Sequence, residues 1–266
     1  MVKGLYTAHT GMIQEQRRLD VLSNNLANAD TNGYKKEGTT SQTFADELAI
    51  KIKDTSAYAL PRKLGGMSMG VHIGETYTDY TQGNFKVTDN ETDIALDGDG
   101  FFAIAYTDKQ GNTTVKYTRD GAFTVNTEGY LVTKDGDYVL NMAGATNGDP
   151  AEGNRIRLDP NAHIVINEFG HIYQNDQRVA ALGFVDIQDY NYLQKFGENL
   201  YDLVEGGVRA PSEAKVVQGC IEGANVNIVS EMVNMITVAR AYQAGQKIIN
   251  AIDETLDKAV NNVGQV

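Results

Sequence analysis

Two glycine- and aspartate-rich patterns in the middle of the chain contain the residue types that bind cofactors or metals. Gly98, Gly100 and Ala103 match a loose dinucleotide-binding fingerprint. That fingerprint requires a following helix whose N-terminus faces the pyrophosphate. The residues from Phe101 to Tyr106 are apolar and predict a strand instead. The sequence therefore predicts a β-turn at these glycines and no bound cofactor.

Aspartates near the same turn raise the question of a calcium loop. Asp93, Asp97 and Asp99 could supply carboxylate ligands, but a loop starting at Asp97 has Asp108 where the twelfth position requires glutamate. The four histidines lie far apart, and the single cysteine, Cys220, permits neither a zinc motif nor an internal disulfide. No serine stands in a setting that predicts a nucleophile. We predict no metal site and no enzymatic activity.

Charge and composition exclude further classes. The chain has 266 residues and a net charge of −12, the opposite of a nucleic-acid-binding protein. Residues 51–220 carry most of this charge, whereas the ends are nearly neutral. An acidic middle is typical of a solvent-facing domain, and neutral ends favour burial against another surface. No apolar run is long enough to span a bilayer, so we expect no lipid insertion, and the N-terminus lacks the pattern of a cleaved secretion signal.

Both ends predict long helices, because they lack proline and repeat apolar residues at intervals of three and four. The first seam is interrupted at Glu15 and the second at Gln246 and Asp253, with Asn225 and Asn227 as N-cap candidates before the second. We expect these seams to pack between subunits. The seam residues are Leu5, Ala8, Met12, Leu19, Leu22 and Leu26 in the first helix, and Ile228, Met232, Met235, Ala239, Tyr242, Ile249 and Leu256 in the second.

Asparagines cluster near the end of the first predicted helix, at Asn24, Asn25 and Asn28. Asparagine is unfavourable inside helices, so these residues could simply cap the helix end. A buried asparagine can also fix the register of a helical bundle. We favour the second interpretation and include all three residues in the predicted subunit packing.

Between the helices the sequence predicts β structure. Short apolar or alternating runs recur every 8–12 residues and are separated by glycine-containing turns, which is typical of a sandwich or barrel. Residues 35–71 follow neither pattern and predict an extended connector arm. The expected fold is α+β, with four segments: an N-terminal helix (1–34), the arm (35–71), a central all-β domain (72–220) and a C-terminal helix (221–266). The two helices are expected to pair as a coiled-coil-like bundle.

Several longer motifs lie near both ends of the chain and in the predicted β region. They are Leu19-Asp-Val-Leu-Ser-Asn-Asn-Leu-Ala-Asn28, Thr31-Asn-Gly-Tyr-Lys35, Gly98-Asp-Gly-Phe-Phe102, Tyr117-Thr-Arg-Asp-Gly-Ala-Phe123, Glu222-Gly-Ala-Asn-Val-Asn227, Glu231-Met-Val-Asn-Met-Ile236 and Arg240-Ala-Tyr-Gln243. Together these motifs resemble the signatures of bacterial flagellar rod and hook proteins, including the distal-rod type. Asp30 and Ala239 depart from the usual asparagine and glutamine of those signatures, and the chain length fits rod proteins better than the longer hook protein.

The resemblance implies a structural subunit of the flagellar basal-body rod, which assembles with copies of itself, other rod proteins and the hook. It also implies passage through the flagellar type III export gate, across the cytoplasmic membrane without signal cleavage, and Phe44 and Leu48 resemble a short gate-docking motif. The rod position stays open. The alternatives are a hook or other axial component, and a secreted β-domain adhesin with helical oligomerisation ends.

Overall fold

The computed structural model describes residues 2–45, 47–51, 62–68, 70–197 and 199–263. It contains long helices near both ends, α1 (Val2–Ala27) and α3 (Ile228–Lys258), and a short helix between them, α2 (Met142–Asn147). Asn227 caps α3, because its side chain accepts a hydrogen bond of 3.1 Å from the Ser230 amide. Both predicted terminal helices and the Asn227 cap are thereby confirmed.

The described residues between α1 and α3 form twenty strands. They are β1 (Glu37–Thr43), β2 (Glu47–Lys51), β3 (Arg62–Met67), β4 (Val71–Thr78), β5 (Phe85–Val87), β6 (Ile94–Asp97), β7 (Phe101–Thr107), β8 (Thr113–Thr118), β9 (Thr124–Val125), β10 (Leu131–Val132), β11 (Tyr138–Val139), β12 (Ile164–Ile166), β13 (His171–Gln174), β14 (Gln177–Ala181), β15 (Phe184–Ile187), β16 (Leu193–Phe196), β17 (Leu200–Leu203), β18 (Arg209–Ala210), β19 (Lys215–Gln218) and β20 (Cys220–Glu222).

The chain forms two compact units. The helical unit consists of Met1–Ala27, Glu37–Asp79 and Asn227–Val266, and the β unit consists of Asn28–Lys36 and Tyr80–Val226. These units divide the chain differently from the four predicted segments, because the turn after α1 belongs with the β unit and β4 belongs with α1. The division of the chain into the four predicted segments stays a prediction.

In the helical unit, α1 packs against α3, β1 and β4. Strands β1 and β4 form one antiparallel pair, and β2 and β3 form another. The sequence predicts an extended connector arm over residues 35–71. Within this range Glu37–Thr43 pairs with Val71–Thr78, because its threonines favour extended backbone and a ladder satisfies the backbone polar groups.

In the β unit, a nine-stranded sheet follows the order β16-β17-β8-β7-β11-β10-β9, with β15 beside β7 and β18 beside β15. Strand β7 lies between two core clusters. Its Phe102 and Ile104 side chains belong to one cluster, and Phe101, Ala103 and Ala105 belong to the other. Because successive side chains point to opposite faces, a strand buried on both faces must be continuously apolar, as Phe101-Phe-Ala-Ile-Ala105 is.

Smaller sheets complete the β unit: β12-β13-β14, β19-β6 and β20-β5. The sequence predicts a single strand run from Val179 to Val185, and this prediction is wrong. Gly183 separates β14 from β15 because its amide bonds to the carbonyl of Leu140 and a Cβ there would lie 2.4 Å from the Asn141 carbonyl oxygen. Periodicity also missed β16 to β20, which are only two to four residues long and so too short to show an alternating pattern.

Candidate functional site

The helices α1 and α3 are antiparallel in the helical unit. A Cβ at Gly245 would meet Met12 and the carbonyl of Ala8, while a Cβ at Gly4 would meet Ile252. Glycine at 245 therefore permits close approach of the two helices at that point. Coiled-coil supercoiling stays a prediction.

The seam of α3 differs in register from its predicted list. The less exposed residues of α3 recur at strict heptad spacing and include Gly245 and Ile252. The sequence pattern placed Gln246 and Asp253 in the seam, but both of these residues are exposed. The apparent polar interruptions therefore lie outside the intramolecular seam. The inward residues of α3 are Glu231, Met235, Val238, Tyr242, Gly245, Ile249, Ile252 and Leu256.

The seam of α1 agrees with its pattern. Leu5, Ala8, Met12, Leu19, Leu22 and Leu26 are all half-buried. Glu15, the predicted interruption, is half-buried as well and accepts a hydrogen bond of 3.2 Å from Arg18. A pairing with Arg18 lets the carboxylate remain in the seam without isolation from a counter-charge.

An apolar stripe lies on the exposed face of α3 near its start. We call Ile228, Val229, Met232, Val233 and Ile236 the α3 stripe; their exposed fractions range from 45% for Ile228 to 72% for Val229. Contiguous exposed apolar residues on a helix mark an interaction surface. Predicted packing residues Ile228 and Met232 therefore point away from the intramolecular seam, and Ala239 lies half-buried between the two faces.

The three predicted asparagines occupy different environments. Asn25 is 1% exposed, donates to the Glu37 carbonyl at 2.8 Å and accepts from the Glu37 amide at 2.9 Å. Its side-chain amide thus pairs with the first residue of β1 as a neighbouring strand would. Asn28 accepts from the Thr31 hydroxyl at 3.3 Å, and Asn24 is exposed. A role of all three in subunit packing stays a prediction.

The two residues of the predicted gate-docking motif lie in the helical unit. Phe44 follows β1, is 40% exposed, and its ring centroid lies 4.8 Å from that of His72. Leu48 lies in β2, where it pairs with Gly66. An exposed aromatic ring beside an edge hairpin is accessible to a partner, and the docking role itself stays a prediction.

A buried charged cluster in the β unit escaped prediction. The Glu222 carboxylate accepts from Lys35 Nζ at 2.6 Å, from Arg119 at 3.2 Å and from the Gly83 amide at 2.8 Å. Lys35 Nζ also donates to the Thr81 carbonyl at 2.7 Å. Lys35, Glu222 and Arg119 are at most 2% exposed. We call these three residues the Glu222 cluster.

Sequence motifs that are far apart in the chain converge at the Glu222 cluster. The Arg119 guanidinium donates to the Gly98 carbonyl at 2.8 Å, and the Gly33 amide donates to the Glu222 carbonyl at 2.7 Å. A Cβ at Gly33, whose φ is +66°, would lie 2.4 Å from the Asp120 nitrogen. Only glycine permits this approach. Motif spacing alone carried no signal of this convergence, since partners up to 187 residues apart meet here.

Patterns typical of catalysis find no support in the described residues. Strand β7 follows Gly98 and Gly100, as the sequence predicts, whereas the dinucleotide fingerprint requires a helix at that place. Residues Gly66-x-Ser68-x-Gly70 match a nucleophile elbow in composition, but β4 follows where that elbow needs a helix, and Ser68 donates to the Gly70 carbonyl. The residues described include no cluster of potential metal ligands. None of the described helices is long and apolar enough to cross a membrane.

Three cavities of the β unit bear on the adhesin alternative, which requires an aromatic-lined binding pocket. One of about 130 Å³ is lined by Met142, Phe184 and Arg209 among others. Two open grooves of about 420 and 460 Å³ share Arg157 and Val179. Phe184 is the sole aromatic residue lining these three cavities, whereas glycan sites use aromatic platforms.

The exposed apolar face of α3 is typical of structural proteins that pack against other chains. Three family profiles match the sequence: "Flagella basal body rod protein" over residues 5–35, "Flagellar hook protein FlgE/F/G D1 domain" over 95–174 and "Flagellar basal body rod FlgEFG protein C-terminal" over 217–262.

Full-length relatives agree with the profiles. The chain is 32% identical to the flagellar hook-basal body complex protein FlhO of Bacillus subtilis over 100% of both chains. It is 31% identical to the flagellar basal-body rod protein FlgG of Buchnera aphidicola subsp. Baizongia pistaciae, covering 97% of this chain and 98% of the relative. It is 32% identical to the flagellar basal-body rod protein FlgF of Caulobacter vibrioides over 100% of both. The chain belongs to the flagellar basal-body rod family and is a structural component of the bacterial flagellum.

Proposed function

We propose that this chain is a rod subunit that assembles with its own copies, other rod proteins and the hook through the α3 stripe, and that the assembled rod transmits motor torque to the hook. The observation that carries the proposal is the stripe itself. Five apolar side chains stand exposed on one helix face, and among the described residues of the helical unit Val238 is the one buried apolar side chain. Full burial of an exposed aliphatic side chain contributes about 1.5–3 kcal/mol, and each of these partly covered side chains would contribute a share of it.

The charge distribution also supports the helices as the elements that contact neighbouring subunits. Net charge concentrates in residues 51–220, while the segments that form α1 and α3 are nearly neutral. Neutral helices can pack closely with copies of themselves, whereas the acidic β unit repels its copies and favours solvent. We therefore propose that the nearly neutral helices, rather than the acidic β unit, form the contacts between subunits.

A pair of aspartate substitutions tests the stripe. Ile236→Asp puts a carboxylate in the stripe and should abolish incorporation into basal bodies, because an unpaired buried charge is strongly destabilising. Gln243→Asp, one heptad later at an exposed and already polar position, is the matched control. Immunoblots of purified basal bodies from a complemented deletion strain measure incorporation. Normal incorporation of Ile236→Asp would refute the stripe as the assembly surface.

A third variant separates assembly from intramolecular packing. Met235 is half-buried in the inward seam, next to Ile236 of the stripe. Met235→Asp should loosen α3 from α1 in the free subunit and also block incorporation. Ile236→Asp should block incorporation alone, with the far-ultraviolet circular dichroism of the free subunit unchanged.

Export through the flagellar type III gate, without signal cleavage, is the delivery route that we propose for this chain. The accessible Phe44 ring and Leu48 of the adjacent β2 support their roles as docking residues. A Phe44→Ala/Leu48→Ala double variant should accumulate in the cytoplasm, measured by immunoblots of cell and export fractions. Phe85→Ala, which removes an equally exposed phenylalanine from the β unit, should be exported normally. Unimpaired export of the double variant would remove the docking role.

Deletion of the protein should abolish motility and leave a truncated rod, because a missing tier in a serial stack blocks everything distal to it. Electron microscopy of basal bodies from the deletion strain shows where the shaft stops, and so assigns the rod position. A complete rod that lacks only its hook would instead indicate a hook component. A normally swimming deletion strain would contradict any axial role.

A further inference from the structure

The Glu222 cluster joins both extremes of the β unit's sequence. Lys35 comes from the short segment Asn28–Lys36, and Glu222 comes from β20, near the other end of the unit. Asn225 strengthens the junction, because its side chain accepts from the Lys36 amide at 2.8 Å and donates to the Thr81 carbonyl at 3.1 Å. The end of segment 28–36 and the two ends of segment 80–226 thus lie side by side at Lys36, Thr81 and Asn225.

The energetics of the cluster are conditional. The Lys35 side chain is 1% exposed and its ammonium group bonds to the Glu222 carboxylate and the Thr81 carbonyl. A buried ammonium without its carboxylate is strongly destabilising, whereas the same group is stable in water. Segment 28–36 can therefore dock on the rest of the β unit without a large desolvation penalty only when β20 already lies beside β5 and presents Glu222.

We propose that the Glu222 cluster is a latch that makes docking of the N-terminal segment 28–36 conditional on the arrival of the C-terminal strand β20. The Gly33 contact makes this docking close, because the segment's backbone lies directly against that of Arg119 and Asp120. A chain whose residues near 222 have not yet paired leaves Lys35 in solvent and the segment undocked. The β unit then closes last at the point where its two sequence ends meet.

Hydrogen exchange on the full-length subunit tests the latch. In Glu222→Gln, peptides covering residues 28–36 should exchange about tenfold faster than in the wild type, while peptides from β7 and β8 should change by less than about twofold. Glu168→Gln, which breaks an exposed ion pair with Lys215, is the matched control and should change neither. Uniform acceleration across the β unit would show that Glu222 serves general stability, and would overturn the latch.

A second variant measures the coupling itself. Lys35→Met keeps the apolar stem and removes the buried cation, so docking should no longer depend on Glu222. In the Lys35→Met background, the effect of Glu222→Gln on residues 28–36 should shrink to less than about threefold. Additive effects of the two substitutions would contradict the proposal.

Pulse-labelled refolding decides the matter if Glu222→Gln does not fold. In the wild type, residues 28–36 should gain protection no earlier than residues 217–225, whereas in Lys35→Met they should gain it earlier. Protection of 28–36 ahead of 217–225 in the wild type would overturn the latch.

Discussion

The helical unit and the β unit differ in how they obtain a core. Strand β7 of the β unit is covered on both faces, and its first five residues are at most 1% exposed. Among the described residues of the helical unit, Val238 is the one apolar side chain that is buried, and the polar Gln14, Asn25 and Glu231 are its other buried side chains.

This contrast teaches what each unit requires for stability. Helices draw most of their stability from the packing of an apolar face rather than from intrinsic propensity. The β unit supplies that packing from within its own sequence, whereas the helices leave the α3 stripe exposed. Helices with exposed apolar side chains cover them by association with other chains, which is the physical basis of the proposed assembly.

The strongest test of the contrast removes one large side chain from each unit. Phe102 is fully buried and meets Phe123 edge-on with ring centroids 5.2 Å apart. Phe102→Ala should lower the free energy of unfolding by about 3–5 kcal/mol. Ile236→Ala, at a 54% exposed position, should change it by less than about 0.5 kcal/mol in the dilute subunit. Urea titrations followed by tyrosine fluorescence measure both, and equal losses would erase the distinction between the units.

The second test compares the two units within one molecule. Amides of β7 and β8 in the dilute monomer should exchange about a hundredfold more slowly than those of α1 and α3, because the helices have little buried apolar surface to hold them. Assembly into rods should protect both helices. Strong protection of α1 and α3 in a verified monomer would show that the helical unit is self-sufficient.

A third test concerns Asn25, whose buried side-chain amide both donates and accepts a hydrogen bond within the helical unit. Asn25→Ala leaves the Glu37 amide and carbonyl without their partner, which should accelerate exchange of β1 about tenfold, equivalent to about 1.4 kcal/mol. Asn25→Asp retains the acceptor and loses the donor, so its effect should be intermediate. An unchanged β1 in Asn25→Ala would mean that this pairing contributes nothing to the unit.

The smallest expected effect is a pH dependence within the β unit. Burial raises the pKa of the Asp120 carboxyl, although the Ala122 amide that donates to it opposes the shift. A carboxyl whose folded pKa lies above its unfolded value stabilises the fold when protonated, and that contribution is lost as pH rises through the folded pKa. The wild type should therefore gain stability from this group on acidification, and Asp120→Asn should not.

Denaturation of both proteins between pH 7 and pH 4 measures this effect. The stability of Asp120→Asn relative to the wild type should be highest at pH 7 and should fall towards pH 4. A difference that stays constant across this range would contradict the assigned shift.

The sequence by itself determined the elements whose pattern is local. Heptad spacing and the absence of proline predicted α1 and α3, Asn227 predicted the cap, and the apolar run at Phe101 predicted β7. Local pattern predicted an extended connector arm at residues 35–71, and the tertiary structure has β1 to β3 within this range, because strand pairing depends on a partner that lies elsewhere in the chain. Likewise, the predicted strand from Val179 to Val185 is divided into β14 and β15 at Gly183, because the backbone there lies against the chain at Asn141.

Only the tertiary structure decided which polar residues are buried and against what. The heptad pattern of α3 was compatible with seams through Gln246 or through Gly245, and close approach of α1 selected Gly245, since a small residue admits the Met12 side chain. Lys35, Arg119 and Glu222 are ordinary charged residues in the sequence. Their burial follows from contacts between partners as far as 187 residues apart. Such pairings leave no periodic pattern in the sequence, because each charged residue is buried only through a partner in a distant segment.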